Sequence, residues 1–151
     1  VPNERRYTSR RYSIATALSD KLKQINGTGE YRTNLYENVH PRLAFWEEVE
    51  EYPAVHIGLG SEQRLYQGGG YKDRFLDVTI RCYVKDEDPQ RVLELLLEDI
   101  ETVIEQNGRL AYQESSGATQ YTQDILITSM DTDEGALAPL GAGEMVLQVR
   151  Y

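Results

Sequence analysis

One cysteine, two phenylalanines and two histidines in 151 residues leave little material for several kinds of chemistry. The lone Cys82 cannot close an internal disulfide and says nothing firm about compartment, for which a reducing cytoplasm is the default. His40, His56 and Cys82 are the few soft metal ligands, and no two are spaced as a pair. No apolar run approaches the ~20 residues that span a bilayer. Residues 1–11 hold Arg5, Arg6, Arg10 and Arg11 without an apolar core, so they do not read as a secretory signal. There is no G-x-S-x-G nucleophile elbow and no phosphate-cradling G-x-x-x-x-G-K-S/T loop. Gly58-Leu59-Gly60 begins like a dinucleotide fingerprint, but no third glycine follows and a hairpin takes the place of the helix. Asp131-Thr132-Asp133-Glu134-Gly135 resembles the start of a calcium loop, yet its glycine comes one position early and its twelfth position is Ala142. It reads as a solvated turn.

What is present is acidic and unevenly so. The net charge is −9. Residues 1–42 carry eight Lys/Arg against four acids, and the remaining 109 carry eight against 21. The overall balance argues against broad salt-driven nucleic-acid binding, which needs a basic face. Residues 1–11 read as a flexible basic arm. Glu47, Glu48, Glu50 and Glu51 have no His or Lys partner nearby, so they read as a wet helix face rather than paired catalytic carboxylates. His56 reads as a sheet-face side chain against a neighbour. No enzyme, cofactor or metal follows from these residues.

Periodicity predicts a helix over 13–25, where Ile14, Leu18, Leu22 and Ile25 share one face and Asn26-Gly27 supplies the stop. Residues 28–40 read as a loop with one short strand, and 42–51 as a short helix closed by Pro53. Val55, Ile57 and Leu59 alternate as a strand until Gly60-Ser61. Residues 61–73, with Gly68-Gly69-Gly70, read as a flexible hairpin tip. Leu76, Val78, Ile80, Cys82 and Val84 then define a half-buried strand. Asp88-Pro89 opens the strongest helix, with an apolar stripe from Val92 to Ile104 and Asn107-Gly108 at its end. Polar residues 110–122 connect it to a strand around Ile125, Leu126 and Ile127. Met145, Leu147, Val149 and Tyr151 mark the last strand. This order predicts one α+β domain over 12–151, a mainly antiparallel sheet of about four main strands with two helices on one face.

The two long polar connections, 61–73 and 110–122, suggest function, since unstructured loops of a dozen residues are uncommon in compact domains. Eleven tyrosines against two phenylalanines favour partner-facing surfaces, because tyrosine joins contact area to a polar tip. Tyr66, Tyr71, Tyr112 and Tyr121 lie in or beside those connections.

Five segments, taken in order, resemble the tail terminator (tail completion) proteins of long-tailed bacteriophages. They are the N-terminal helix ending Ile25-Asn26-Gly27-Thr28-Gly29; Tyr52-Pro53-Ala54-Val55-His56-Ile57; Leu76-Asp77-Val78-Thr79-Ile80-Arg81-Cys82-Tyr83-Val84; the helix from Asp88-Pro89; and Ile127-Thr128-Ser129-Met130 with Pro139 and the strand 144–151. The likeness spans about residues 12–151. It implies a structural virion protein without an active site, forming a homo-oligomeric, hexameric ring on the head-proximal end of the tail tube. The ring would stop tube polymerisation and offer a surface for head-tail joining. Implied partners are the tube protein, a head-completion or neck protein, and genomic DNA passing through without sequence-specific binding; no membrane is implied. The implied location is the virion tail at the neck, after assembly in the host cytoplasm. Within that frame, Arg64, Leu65, Tyr66, Tyr71, Lys72, Arg74 and Tyr83 are the expected tube or subunit contacts. Asp77, Asp86 and Glu87 are the expected acids of the lumen. The rival readings are a capsid-side head-completion or neck connector, and a small cytoplasmic binding domain.

Overall fold

A side-chain cap starts the first helix. In the computed structural model, which describes residues 8–151, Ser9 accepts the backbone N–H of Tyr12 at 3.1 Å and opens α1 (Arg10–Leu22). The helix therefore begins and ends three residues earlier than its apolar spacing indicates. Arg10 and Arg11 belong to its first turn, and residues 1–7 of the expected arm lie outside the described residues. Ile14, Leu18 and Leu22 still form its buried face. Asn26-Gly27 is a separate turn after the helix: Gly27 has φ +75°, and the Asn26 side chain accepts the N–H and hydroxyl of Thr28.

The sheet carries the rest of the core. Its order is β1-β2-β3-β7-β6, with β1 (Val39–His40) parallel to β2 (Ala54–Tyr66) and every other pair antiparallel. β3 (Lys72–Lys85) lies in the middle, followed by β7 (Leu140–Arg150) and the edge strand β6 (Asp124–Thr132). Period-2 alternation sends Leu76, Val78, Ile80, Cys82 and Val84 of β3 to one face, with Val55 and Ile57 on one side and Met145, Leu147 and Val149 on the other. α1 covers the β1–β2 side of that face, and α2 (Pro89–Gln106) covers β3, β7 and β6. Asp88 caps α2 and Pro89 fills its first turn, while Leu93, Leu96, Ile100, Val103 and Ile104 bury its stripe. Two helices on one face of a mainly antiparallel sheet make a single α+β domain, with the two-residue β1 added to the four main strands.

Three expectations change. The polar stretch 61–73 is not a loop: β2 runs on to Tyr66 and β3 starts at Lys72, with only 67–71 turning between them. Gly60-Ser61 is a β-bulge, not a strand end, because the register slips by one between Leu59 and Glu62. The connection 110–122 also has structure, a small hairpin of β4 (Ala111–Gln113) and β5 (Thr119–Tyr121) that seats Tyr112 against the α1 side. Residues 42–51 form only a single 3-10 turn at Trp46–Glu48. An extended segment suits them better, since it crosses the sheet instead of standing beside it.

Candidate functional site

The β2–β3 hairpin outgrows the sheet and becomes an arm. β7 ends opposite Phe75, and a last backbone pair joins Tyr151 to Arg74, so Lys72 and Asp73 of β3, with the extended turn residue Tyr71, run on beyond it paired only to β2. At ~3.3 Å per residue the arm projects roughly 10 Å past its neighbour. The turn itself needs glycine: Gly69 (φ +77°) and Gly70 (φ +84°) are left-handed. Neither face of the arm is buried, which explains why its residues show no hydrophobic period.

Charge and aromatic contacts hold the root. Arg11 donates to the Gly60 carbonyl at the bulge, tying α1 to the arm. Tyr151 donates its hydroxyl to Glu62, and Arg64 Nε donates to the other Glu62 oxygen at 2.7 Å. Burial opposes the charge on Glu62, but these donors and the nearby arginines outweigh it and hold the carboxyl below its usual range. Burial and the Glu62 carboxylate push the Tyr151 phenol up to about 12. Arg74 lies over the Tyr151 ring at 5.3 Å, and Arg150 pairs with Asp73 at 3.0 Å. The root is thus built from both ends of the domain.

Beyond the root, the tip is open. Tyr66 is 69% exposed and Tyr71 is 74% exposed, with Leu65 also exposed. Lys72 lies 5.8 Å from the centre of the Tyr66 ring. Five of the residues expected to make contacts, Arg64, Leu65, Tyr66, Tyr71 and Lys72, therefore share this arm, and Arg74 stands at its root. Tyr83 does not join them. It lies at the opposite end of β3, buried, donating to the Ala44 carbonyl at 2.7 Å. The expected lumen acids are also separated. Asp77 is exposed on the helix-free face of β3, while Asp86 and Glu87 lie in the β3–α2 turn, roughly 30 Å away at ~3.3 Å per residue.

That helix-free face has a strap. Residues 41–49 run across it, fixed at three points. Leu43 fills the space over Gly58, where an added Cβ would meet its Cγ at 2.5 Å. Tyr83 holds Ala44, and His56 Nδ1–H donates to the Arg42 carbonyl at 3.0 Å. His56 stacks on His40 with ring centres 5.1 Å apart. Burial lowers its pKa, partly opposed by the Arg42 bond. The strap leaves two large aromatic side chains outside, Phe45 at 68% and Trp46 at 44% exposure. Reading 42–51 as an amphipathic helix hid them, because a helix would have turned this apolar set inward. The excess of apolar over core-compatible positions was the available signal.

Among the described residues, no group of three His, Cys, Asp or Glu side chains is placed to hold a metal ion. The arm and the strap offer contact surface rather than acid-base chemistry.

The comparisons agree with a role in assembly. The chain matches the family described as Bacteriophage Tail Tube Terminator Protein over residues 8–151. It is 42% identical over 149 residues to the tail tube terminator protein p142 of Escherichia phage T5, spanning 93% of this chain and 92% of that protein. Its fold is similar to a chain from the virion of a native gene transfer agent particle, with a TM-score of 0.56 and 10% identity over 91% of this chain and 93% of that one. With the profile and the T5 relative both covering nearly the whole domain, the chain belongs to the bacteriophage tail tube terminator family, whose members are structural virion proteins and not enzymes.

Proposed function

We propose that the chain assembles as a ring, with six copies, on the head-proximal end of the tail tube. There it stops tube growth and presents its free side to a head-completion or neck protein, with assembly taking place in the host cytoplasm. The observation that carries this reading is the projecting arm: an exposed aromatic tip on a braced root, in a member of the tail tube terminator family. A tip of this kind is suited to contact another protein, since tyrosine supplies area at low entropic cost. Genomic DNA passes through the ring without sequence-specific contact. Asp77, Asp86 and Glu87 are assigned to the lumen, where their charge repels phosphate and keeps the duplex sliding. Reversing all three to lysine should slow DNA ejection, and unchanged ejection would remove that assignment.

The test of the main reading is electron microscopy of lysates after disruption of the gene. Overlong tails beside unjoined, DNA-filled heads are expected. Tails of normal length beside defective heads would instead place the protein on the capsid side.

A further inference from the structure

The molecule carries a second exposed aromatic patch that its own fold does not use. Phe45 and Trp46 of the strap wall a recess of about 290 Å³ on the helix-free face, floored by Tyr83 and Ala142. Its rim is acidic: Asp131, Asp133 and Glu144 stand against a single cation, Arg81, which approaches Glu144 at 4.0 Å. An aromatic recess with an acidic rim is matched by an aromatic tip carrying a cation. The arm of this chain presents that pairing, Tyr66 and Tyr71 with Lys72, while its acids are already engaged at the root, Glu62 by Arg64 and Asp73 by Arg150. The recess cannot take its own arm. Lys72 and Tyr83 are eleven residues apart on one strand, roughly 35 Å at ~3.3 Å per residue.

We infer that the arm tip of one copy docks in the Phe45–Trp46 recess of the next copy. This rests on the reading of the arm as an assembly contact and names its partner. Donor and acceptor are different surfaces at opposite ends of β3, so the contact is head-to-tail, the kind that generates a ring when the rotation closes. Burying Tyr71, Tyr66 and Trp46 together in one desolvated pocket places the residue types that dominate interface energy at its centre. The acid rim then sets the orientation of Lys72 and disfavours wrong partners.

The test uses assembled tails from phage whose chain carries both Gln67→Cys and Glu47→Cys, exposed neighbours of the tip and of the recess, treated with a short bifunctional thiol reagent. Cys82 is fully buried and does not compete. A ladder of covalent multimers of this chain is expected, and it should be absent with either substitution alone. Lys72→Glu should cut the cross-linked fraction about tenfold, and adding Asp131→Lys with Glu144→Lys should restore it. Monomers only, or cross-links to the tube protein in place of a second copy, would overturn the inference. Tail length is scored in the same preparation. Normal tails without the ladder would overturn this contact and leave terminator function standing, whereas a ladder with tail length indifferent to the gene would do the reverse.

Discussion

Asp99 offers the sharpest test of how this domain is held together, because it is an acid inside an apolar helix face. It is 3% exposed, and its carboxylate accepts the backbone N–H of Arg32 at 3.0 Å and that of Thr33 at 2.8 Å. The Thr33 hydroxyl donates at 2.6 Å. These bonds pin the 26–35 loop to α2, and Leu35, fully buried, closes the core beneath them. Asp99→Ala strands the Thr33 amide in the interior and leaves the Arg32 amide to recruit water through a partly buried site. A stranded buried donor costs about 1–3 kcal/mol, and relief of the carboxylate's own desolvation returns part of that, so a net loss of about 2 kcal/mol is expected. Asp99→Asn keeps the shape and one acceptor oxygen, and should lose about half as much. In urea, with a slope of about 2 kcal/mol/M for a domain of this size, the alanine variant's midpoint should fall by roughly 1 M at unchanged slope. Circular dichroism during titration reads this directly. An alanine variant within about 0.5 kcal/mol of the parent would refute the account, since that is the range of an ordinary surface change.

Replacing residues 65–72 by a short Gly-Ser turn should leave the urea midpoint almost unmoved, because neither arm face is buried, yet abolish tail capping in a complementation assay. Gly58→Val should lift the strap by driving a side chain into Leu43, and the emission of Trp46, the sole tryptophan, should shift as it loses its seat; overpacking should cost about 1–3 kcal/mol. Burial pushes the Cys82 thiol up to about 12, so native protein at pH 8 should resist thiol alkylation until it unfolds. His56 is held below its ordinary 6.5, chiefly by burial, with Arg42, His40 and Glu48 around it. The unfolded chain therefore binds the proton first, and the stability contributed by neutral His56 is lost as pH falls from 6.5 through the lower folded value. His56→Gln should flatten that slope in pH-dependent melts.

The elements that bury one face were legible in the linear pattern. The alternation of 76–84 and 145–151 and the stripe of α2 each encode a buried side directly, and together they specified the α+β domain. Family likeness was also readable, from the order of Asn26-Gly27, the Pro53-Ala54-Val55 strand start and Asp88-Pro89. Contacts distant in sequence decided the rest. The 61–73 stretch became strand because β3 pairs with it across a bulge, and a two-sided polar strand has no period to read. The strap lies flat because Gly58, His56 and Tyr83, remote from it along the chain, leave the space and supply the bonds that hold it. Sequence alone determined which apolar faces must be buried. Tertiary pairing alone decided what was left exposed, and in this protein the exposed aromatics of arm and strap form the candidate site.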